Sequence, residues 1–499
     1  MVQGTGSGVG KSVLAAALCR IFARRGYRVA PFKAQNMSLN SGVTSQGEEM
    51  GRAQILQAQA AFTEPDSRMN PVLLKPEADT RCQVVVRGKV WDTLQASSYY
   101  RRGGDLWPVV VDSLRSLGRD FDLVIIEGAG SPAEINLRHV DIVNMRVARE
   151  VNASVILVGD IEKGGVFASL YGTWALLAES ERNLIKGFLI NKFRGDASIL
   201  RPGLEEIERL TSIPVIGVLP FTELSLDDED AFMGRPMRNP KHEKKGMLRI
   251  GVIRLPHLSN FTDFQPLEEE PDLQVEFVSY HKPLDGYDLV ILPGSKNTIG
   301  DLKELIQAGF REKLYAYLQE GGAVLGVCGG FQMLGQRLRD PLGIEGETVS
   351  ECGLGILDTE TGLASKKTLK VVEGFSPPFS NAPVKGYEIH MGESAFSQPY
   401  PPLFLLGKET GNETGKEMKR EEGVAYQQVF GTYLHGLFDQ PVFRRAFLDH
   451  LRERKNLLPV KKVLRPWQER MDKELERIAD IFTNEVAMER VESWLWGNE

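Results

Sequence analysis

One short segment constrains the fold of this chain more than any other. The apolar run Ala323 to Val327 leads directly into Cys328, and residues 329–333 (GGFQM) follow. The apolar run predicts a buried strand, and the small residues after it predict the start of a helix. A helix N-terminus favours the thiolate form of a cysteine, and neighbouring glycines allow a substrate carbonyl to approach the backbone. The segment therefore predicts an α/β fold with a nucleophile elbow that carries a thiol.

Two other segments supply partners for this thiol. Residues 429–436 place His435 at the end of a short strand, and residues 289–296 end in a Pro-Gly-Ser turn. Because an activated cysteine needs an imidazole, we predict that His435 is the base of Cys328. We predict an oxyanion hole at Gly294, Ser295 and Gly329. Cys328 alone can also be interpreted as a buried inert thiol, but the three segments together favour catalysis.

A glycine-rich loop opens the chain, before an apolar helix predicted from about Val13 to Arg24. Its backbone N–H groups can bind phosphates, Lys11 can reach the terminal phosphates, and Ser12 can ligate Mg²⁺. The spacing is one residue longer than a standard Walker A motif, because Thr5 stands where the first glycine is expected. A glycine-rich turn without a ligand is the alternative interpretation. The predicted nucleotide-binding residues of this loop are Thr5, Gly6, Ser7, Gly8, Gly10, Lys11 and Ser12.

Further apolar runs of the N-terminal half end in polar residues. Residues 121–128, 153–160 and 187–192 read as buried parallel strands that end near Glu127, Asp160 and Asn191. Ligands of open α/β sheets bind at the carboxyl ends of strands. We therefore predict that Glu127 binds Mg²⁺ and that Asn191 contacts the nucleotide, although Glu127 can also be a helix-capping or solvated acid.

The length of 499 residues requires more than one core. We predict two doubly wound α/β domains, residues 1–225 and 248–450, with a linker at 226–247. The helical segment 451–499 is expected to pack on the second domain, as an amphipathic pattern indicates. Only Met1, Val2 and Gln3 precede Gly4 at the start of the phosphate loop, so we expect the natural start to lie upstream.

Composition excludes several classes of protein. A net charge of −7 argues against nucleic-acid binding, and four cysteines without CxxC spacing argue against a disulfide framework or structural zinc. The sequence has no signal peptide and no apolar run long enough to span a bilayer. We therefore expect a cytoplasmic enzyme that contacts neither nucleic acid nor membrane.

The motifs together resemble the cobyric acid synthase family, glutamine-dependent amidotransferases of cobalamin biosynthesis. Single motifs are shared with dethiobiotin synthetase and with other class I glutaminases, but the combination is specific. The resemblance implies a dethiobiotin-synthetase-like ATP domain followed by a class I glutaminase domain. Besides the Cys328 and His435 segments, it rests on residues 31–41 (PFKAQNMSLNS), 51–54 (GRAQ), 69–76 (MNPVLLKP), 127–137 (EGAGSPAEINL), 159–167 (GDIEKGGVF) and 191–196 (NKFRGD).

The resemblance implies a reaction. Carboxylates b, d, e and g of adenosylcobyrinic acid a,c-diamide become amides through acyl phosphates made from ATP with Mg²⁺. The ammonia comes from L-glutamine, which Cys328 and His435 hydrolyse. Lys11, Ser12 and Glu127 are expected to support phosphoryl transfer. The oligomeric state stays open.

Some positions depart from the family or carry weaker expectations. Gln46 replaces a frequent Asp, which leaves Glu49 as the expected second contact to Mg²⁺. Arg52, Lys75 and Asp160 are expected near the corrinoid substrate. Leu437 stands where ordinary class I glutaminases have Glu, so the sequence predicts a Cys-His dyad and does not name the group that orients His435.

Two alternatives to this function stay open at the level of sequence. Cobyrinic acid a,c-diamide synthase uses the same two domains on two other carboxylates, although residues 31–41 and 191–196 favour cobyric acid synthase. A non-catalytic P-loop ATPase with a relic glutaminase domain is the second alternative. The presence of Cys328, His435 and the Pro-Gly-Ser turn argues against it.

Overall fold

The computed structural model describes residues 1–78, 81–222, 246–346, 349–407, 419–460 and 465–496. The predicted linker, 226–247, lies outside these residues except for its last two positions. Two α/β regions, each with its own parallel sheet, lie on either side of it. None of the helices within the described ranges is long and apolar enough to cross a membrane.

The N-terminal region comprises strands β1 to β12 and helices α1 to α7. Its strands are β1 (Val2–Gly4), β2 (Val29–Phe32), β3 (Gln35–Met37), β4 (Ser41–Val43), β5 (Glu49–Gly51), β6 (Val72–Ala78), β7 (Arg81–Val86), β8 (Lys89–Gln95), β9 (Leu123–Ile126), β10 (Val155–Asp160), β11 (Ile185–Phe193) and β12 (Val215–Pro220). Its helices are α1 (Lys11–Arg24), α2 (Arg52–Ala60), α3 (Ala96–Asp120), α4 (Met145–Glu150), α5 (Val166–Leu176), α6 (Glu179–Arg182) and α7 (Ala197–Thr211).

The main sheet of this region is parallel. Strands β1, β10, β11 and β12 pair in that order, and β2 pairs with β9. A parallel bridge between Val2 and Glu127 joins the two groups. Every residue of β10 is buried, as expected for a parallel strand covered on both faces. The carboxyl ends of β9, β10 and β11 therefore meet at one edge of the sheet, beside the loop that follows β1.

A smaller sheet and a hairpin extend this region. Strand β3 pairs with β6 in parallel, and β6, β7 and β8 continue as an antiparallel meander. Strands β4 and β5 form an antiparallel hairpin in which Ser41 faces Gly51, and α2 begins at Arg52 directly after it. The hairpin thus connects the segment after β3 to helix α2.

The C-terminal region comprises strands β13 to β29 and helices α8 to α14. Its strands are β13 (Leu248–Ile253), β14 (Leu258–Ser259), β15 (Leu273–Val278), β16 (Leu289–Leu292), β17 (Gly294–Ser295), β18 (Ala323–Val327), β19 (Arg337–Arg339), β20 (Ser350–Cys352), β21 (Thr359–Gly362), β22 (Thr368–Ser376), β23 (Ala382–His390), β24 (Glu393–Phe396), β25 (Phe404–Gly407), β26 (Arg420–Glu422), β27 (Val424–Tyr426), β28 (Val429–Thr432) and β29 (Leu434–His435). Its helices are α8 (Gln265–Glu268), α9 (Thr298–Gln307), α10 (Phe310–Gln319), α11 (Gly329–Met333), α12 (Pro441–Arg454), α13 (Trp467–Glu485) and α14 (Met488–Trp496).

The central sheet of the C-terminal region has the order β15-β13-β16-β18-β28-β27, parallel except for β27. All residues of β16, β18 and β28 are buried. A second, antiparallel sheet in the order β26-β25-β22-β23-β29 stands beside it. The elbow at the end of β18 and the histidine in β29 therefore belong to two different sheets that meet at one place. The α/β class predicted from the sequence is confirmed for both regions.

The C-terminal helices contradict one expectation. They are amphipathic as predicted, but α13 packs its apolar face on α1 of the N-terminal region. Its first turn contacts the C-terminal region, where Arg470 pairs with Glu269. Its apolar face, which includes Met471, Leu475 and Phe482, joins the core around α1. The Arg20 guanidinium, buried in α1, forms ion pairs with Asp472 at 3.0 Å and with Glu476. The sequence pattern gave the apolar face of α13 but carried no information about the surface that covers it.

Candidate active sites

The predicted elbow is present at the end of β18. Cys328 has φ 52° and ψ −112°, a left-handed conformation that a residue with a side chain rarely adopts. Such a conformation costs on the order of 1–3 kcal/mol, and it persists where surrounding contacts enforce it. The backbone N–H of Cys328 donates to the Thr432 carbonyl at 2.8 Å, which ties the elbow to β28. The strained turn holds the sulfur next to the end of the second sheet.

His435 lies at this position, fully buried in β29. Its Nδ1 is 2.6 Å from Oδ2 of Asp263, whose Oδ1 accepts the backbone N–H of Gly436 at 3.1 Å. Burial alone lowers the pKa of an imidazole, but the Asp263 carboxylate outweighs burial and raises the pKa of His435 to about 10. The neighbouring Cys328 sulfur acts in the same direction. His435 Nε2 is buried and has no nitrogen or oxygen partner among the described residues. The geometry therefore leaves Nε2 free to exchange a proton with the sulfur or with a substrate.

Asp263 is the functional residue that the sequence analysis missed. It lies in a short 3-10 helix, Phe261–Phe264, which is separated from His435 by 172 residues. The position two residues after His435 is Leu437, which is buried in the apolar core. An acid between two phenylalanines after a buried strand was the available signal. Sequence spacing from His435 gave no reason to choose it.

The predicted oxyanion-hole residues come together beside Cys328. A methyl group added at Gly329 would lie 2.9 Å from the backbone nitrogen of Ser295, so only glycine allows this approach. A methyl group added at Gly294 would lie 3.0 Å from Ser259 Oγ and 3.6 Å from His435 Cε1. One cavity is lined by Ser295, Cys328 and His435, and also by Gln332 and Glu345. This arrangement can place a planar amide against the sulfur.

The glycine-rich loop connects β1 to α1, which begins at Lys11, two residues before its predicted start. Lys11 Nζ donates to the carbonyls of Gly6 at 2.7 Å and Gly130 at 3.2 Å. Both acceptors are backbone oxygens at the carboxyl edge of the parallel sheet. The lysine therefore points into the concavity of its own loop, where the terminal phosphates of a nucleotide are predicted to bind.

Ser12 and Glu127 are in direct contact. Ser12 Oγ donates to Glu127 Oε1 at 2.7 Å, Lys33 Nζ donates to the same oxygen at 2.8 Å, and Gln57 Nε2 donates to Oε2 at 2.6 Å. Burial alone raises the pKa of a carboxyl, but the Lys33 ammonium outweighs burial and holds the pKa of Glu127 below its usual value. An ionised carboxylate beside a hydroxyl is a suitable oxygen donor pair for Mg²⁺.

Ser12 and Glu127 supply only two side-chain ligands, so the number of ligands that Mg²⁺ needs from the protein decides whether the ion fits here. The described residues contain no group of three or more His, Cys, Asp or Glu side chains that could hold a metal ion. Mg²⁺ is commonly bound through one or two protein oxygens, with water and phosphate oxygens for the remainder. Ser12 and Glu127 therefore fit a magnesium ion that arrives with a nucleotide, and they do not fit a site built of protein ligands alone.

Asn191 and Asp160 lie at the outer side of the phosphate loop. Asn191 Nδ2 donates to the Val9 carbonyl at 2.9 Å. Lys192 Nζ donates to the Gly8 carbonyl at 2.6 Å and to Asp160 Oδ2 at 3.0 Å. Asp160 was expected near the corrinoid substrate, but its carboxylate holds the lysine that buttresses the loop. The apolar run before Asp160 predicts its position at a strand end but not the direction of its side chain.

Glu49 lies at the junction of the two α/β regions. Its carboxylate is fully buried and forms ion pairs with Lys75 at 2.7 Å and with Lys367 of the C-terminal region at 2.5 Å. Burial alone raises the pKa of a carboxyl, but the two lysines outweigh it and lower the pKa of Glu49. Both carboxylate oxygens face lysines in this arrangement, and the expected contact of Glu49 with Mg²⁺ stays a prediction.

Lys75 and Arg52 belong to the same junction. Lys75 lines the cavity that contains Cys328, and Arg52 opens helix α2 directly after the hairpin β4–β5. The Arg52 backbone N–H donates to the Asn40 carbonyl at 3.1 Å. Neither residue lines the large cavity beside the phosphate loop. Both residues lie at the domain junction, and their expected contact with the corrinoid substrate stays a prediction.

A cavity of about 910 Å³ lies next to the phosphate loop. Gly130, whose carbonyl accepts a hydrogen bond from Lys11, is part of its wall. Trp107 also lines it, with the Arg146 guanidinium 4.0 Å from the indole centroid. Met37 lines it as well and is 60% exposed. The cavity thus combines exposed apolar side chains with basic groups at the edge of the sheet where the nucleotide is predicted to bind.

Two known protein families match separate parts of the chain. Residues 1–230 match the CobQ/CobB/MinD/ParA nucleotide binding domain. Residues 249–443 match the CobB/CobQ-like glutamine amidotransferase domain. The chain therefore carries a nucleotide-binding domain followed by a glutamine amidotransferase domain.

Curated relatives resemble the chain over nearly its full length. A protein of Clostridium acetobutylicum named cobyric acid synthase is 46% identical over 99% of this chain and 98% of its own length. Proteins of the same name from Listeria innocua and Photorhabdus laumondii are 44% and 48% identical, over 100% and 92% of this chain and 97% and 90% of their own lengths. The similarity thus spans both domains and not one of them alone.

Proposed function

This chain belongs to the cobyric acid synthase family of glutamine amidotransferases, and from that premise we propose its reaction in detail. It converts carboxylates b, d, e and g of adenosylcobyrinic acid a,c-diamide into amides, with ATP as the activating substrate and L-glutamine as the source of ammonia. Mg²⁺ accompanies the ATP. Each amidation consumes one ATP and one glutamine.

One observation carries this proposal: a Cys-His-Asp centre and a phosphate loop lie in two domains of one chain, and a buried junction joins the two domains. Lys75 of the nucleotide-binding domain lines the same cavity as Cys328 of the amidotransferase domain. Lys367 of the amidotransferase domain reaches Glu49 of the other domain. A glutaminase without a second reaction would have no use for this contact, whereas an amidotransferase needs ammonia to pass between two centres.

In the glutaminase half, Cys328 Sγ attacks the side-chain amide carbon of glutamine. Backbone N–H groups at Ser295 and Gly329 stabilise the oxyanion. His435 holds the proton that the thiol gives up and transfers it from Nε2 to the leaving ammonia, while Asp263 keeps the imidazole oriented. His435 then takes a proton from water, which attacks the thioester and releases glutamate. The sulfur leaves as a thiolate and the centre is restored.

In the synthetase half, a substrate carboxylate oxygen attacks the terminal phosphorus of ATP, and ADP leaves. Ammonia then attacks the acyl phosphate carbon, phosphate leaves, and the amide remains. Lys11 and the loop backbone position the phosphates and oppose their charge. Ser12 and Glu127 would hold Mg²⁺, which when bound neutralises phosphate charge. Lys33 and Gln57 keep the Glu127 carboxylate fixed and ionised for that purpose.

The large cavity beside the phosphate loop is the proposed corrinoid site. Its wall is contiguous with Gly130 and hence with Lys11, so a carboxylate at the periphery of a bound macrocycle can reach the terminal phosphate. Two acidic wall residues are paired with arginines, Glu181 with Arg138 and Glu150 with Arg115. Among the residues described, no carboxylate pairs with the side chain of Arg146 in the same wall. A flat apolar ring with carboxylate arms suits this mixture of indole, thioether and guanidinium groups.

The test is mass spectrometry of adenosylcobyrinic acid a,c-diamide incubated with the protein, Mg-ATP and L-glutamine. We expect a stepwise series that ends after four amidations, with ATP and glutamine consumed in proportion. Cobyrinic acid is the matched control substrate. Amidation of cobyrinic acid at a and c, with none on the diamide, would instead support cobyrinic acid a,c-diamide synthase. Glutamine hydrolysis without any amidated corrinoid would overturn the proposed substrate.

A further inference from the structure

Within the segment 31–41 (PFKAQNMSLNS), Lys33 contacts Glu127 and Met37 lines the large cavity, but the end of the segment has no part in either reaction as described so far. Its last residues, Asn40 and Ser41, belong to the nucleotide-binding domain yet bond to the amidotransferase domain. Asn40 Oδ1 accepts the backbone N–H of Phe261 at 3.1 Å, and the Ser41 backbone N–H donates to Asn260 Oδ1 at 3.0 Å. Two reciprocal hydrogen bonds thus fix one chain segment on another across the domain junction.

The segment they fix carries the partner of the catalytic histidine. Phe261 begins the 3-10 helix that contains Asp263, and Asp263 is the residue that orients His435. The Asn260 amide lies 3.4 Å from His435 Nδ1. A displacement of Asn260 or Phe261 would therefore move the carboxylate that sets the orientation and the charge of the imidazole.

A third contact reaches the same histidine from the opposite strand. The Tyr387 hydroxyl donates to the Ser41 carbonyl at 3.1 Å. The Tyr387 ring stacks on the His435 ring, with centroids 5.4 Å apart and planes 18° from parallel. Tyr387 also faces His435 in the pairing of β23 with β29. Ser41 is thus in contact with both supports of His435, the Asn260 loop and the Tyr387 ring.

These contacts are buried, which makes their loss costly. Asn40, Ser41 and Asn260 are each at most 4% exposed. Removal of one partner leaves the other as a buried polar group without a hydrogen bond, or lets its backbone move until water satisfies it. Asn260 itself has a left-handed backbone, φ 52°, that its surroundings have to maintain. The loop around Asn260 therefore depends on the nucleotide-binding domain for its shape.

We propose that Asn40 and Ser41 are positioning residues for the Asp263–His435 pair, so that the nucleotide-binding domain completes the glutaminase centre. The glutaminase half of the proposed function rests on Cys328 and His435, and this inference adds to it that their geometry is supplied in part from the other domain. Glutamine hydrolysis in the isolated amidotransferase domain would lack this support. The residues act through Asp263 and His435 and do not touch glutamine.

The test compares Asn40→Ala with Asn40→Asp in the full-length protein. Asn40→Ala removes the acceptor of the Phe261 N–H, and we expect kcat of glutamine hydrolysis to fall between about tenfold and about a hundredfold, because small misplacements of catalytic groups cost rates of this order. KM for glutamine should change little. Asn40→Asp keeps an acceptor oxygen and should retain most of the rate. Thr44→Ala is the matched control and should leave kcat unchanged. It removes the hydrogen bond from the Glu48 N–H to the Thr44 hydroxyl, in the hairpin that follows Asn40.

Ammonium-driven amidation separates this inference from the proposed function. It bypasses glutamine hydrolysis, so Asn40→Ala should carry it out at the wild-type rate. An unchanged glutaminase kcat in Asn40→Ala would overturn the positioning role, even with amidation intact. Equal losses of glutaminase and ammonium-driven amidation would also overturn it, since they would indicate a general loss of folded protein. Failure of the wild-type protein to amidate the corrinoid with ammonium would refute the proposed substrate and leave the glutaminase comparison valid.

Discussion

The two centres of this protein differ in how their polar groups are satisfied. In the glutaminase centre, Asp263 fixes one nitrogen of His435, while the other, Nε2, is buried without a nitrogen or oxygen partner among the described residues. In the nucleotide centre, Lys11 bonds to backbone carbonyls and Ser12 bonds to Glu127. The proton-transferring nitrogen of the first centre is therefore open, whereas Lys11 and Ser12 of the second centre are both engaged in hydrogen bonds.

Because of this difference, glutamine and the nucleotide are expected to bind in different ways. Glutamine adds contacts to a centre whose catalytic groups already stand in place. A nucleotide with Mg²⁺ has to replace internal hydrogen bonds of Lys11 and Ser12 with bonds to phosphate and metal. An exchange of this kind yields less net free energy than the same bonds formed by free groups. We therefore expect the glutaminase centre to be preorganised and the nucleotide centre to rearrange on binding.

Helix α2 links the two centres physically. Its Gln57 donates to Glu127 Oε2 at 2.6 Å and to the Ser12 carbonyl at 3.2 Å. Its first residue, Arg52, bonds to the Asn40 carbonyl at the glutaminase side. A single short helix thus spans from the predicted magnesium ligands to the residues that support Asp263. The comparison can be tested by substitutions that disable one centre and leave the other intact.

Cys328→Ala is expected to give the largest difference between glutamine-driven and ammonium-driven amidation. Loss of the sulfur should lower glutamine-driven amidation by at least about a thousandfold, because no other group can form the thioester. Amidation from high ammonium should continue at the wild-type rate. Product formation by mass spectrometry, with either nitrogen source, measures both. Cys352→Ala, at an exposed free cysteine, is the matched control. A variant that ammonium does not rescue would show that the elbow also supports the nucleotide centre.

Lys11→Ala should have the opposite effect and disable amidation while glutamine hydrolysis continues. Both routes to amidation should fall by about a hundredfold or more, since the charge on the transferred phosphoryl group is no longer opposed. Glutamine hydrolysis without ATP should persist. Glutamate release and corrinoid amidation are measured in parallel. Lys186→Ala, at an exposed lysine outside the loop, should leave both unchanged. Normal amidation by Lys11→Ala would contradict the assignment of the phosphate loop.

Part of this comparison follows from the sequence and part does not. The elbow, the phosphate loop and the buried strands are contiguous segments whose residue order fixes local geometry, and the structure confirms those elements. Asp263 could not be found in the same way, because its pairing with His435 depends on how two distant segments fold together. The side chain of Glu49 was expected at a metal, but its two lysine partners come from separate parts of the chain. The same holds for α13, whose apolar face gives no information about its partner α1.

Asp263→Asn sharpens the claim that the glutaminase centre is preorganised. The amide keeps the shape of the side chain but removes the charge that raises the pKa of His435 to about 10. Burial then lowers the pKa, so the imidazolium that protonates the leaving ammonia is lost at lower pH. We expect kcat for glutamine hydrolysis to fall by about a hundredfold, because a positioned general acid contributes at least a factor of this order. The alkaline limb of its pH profile should move to lower pH. An unchanged limb would show that Asp263 does not set the charge of His435, and Asp196→Asn serves as the surface control.

The smallest effect is expected at the wall of the large cavity. Arg146→Gln removes a guanidinium that lies over Trp107 and has no carboxylate partner within the described residues, so it should weaken a corrinoid that carries carboxylates. We expect KM for the corrinoid to rise by about tenfold, with glutamine hydrolysis unchanged, because one charge-assisted hydrogen bond is lost. Arg119→Gln, on α3 but outside the cavity wall, is the matched control. Equal KM values for the two variants would place the corrinoid elsewhere. A rise confined to Arg146→Gln would join the macrocycle, the phosphate loop and Lys11 in one site, which the glutaminase centre serves only with ammonia.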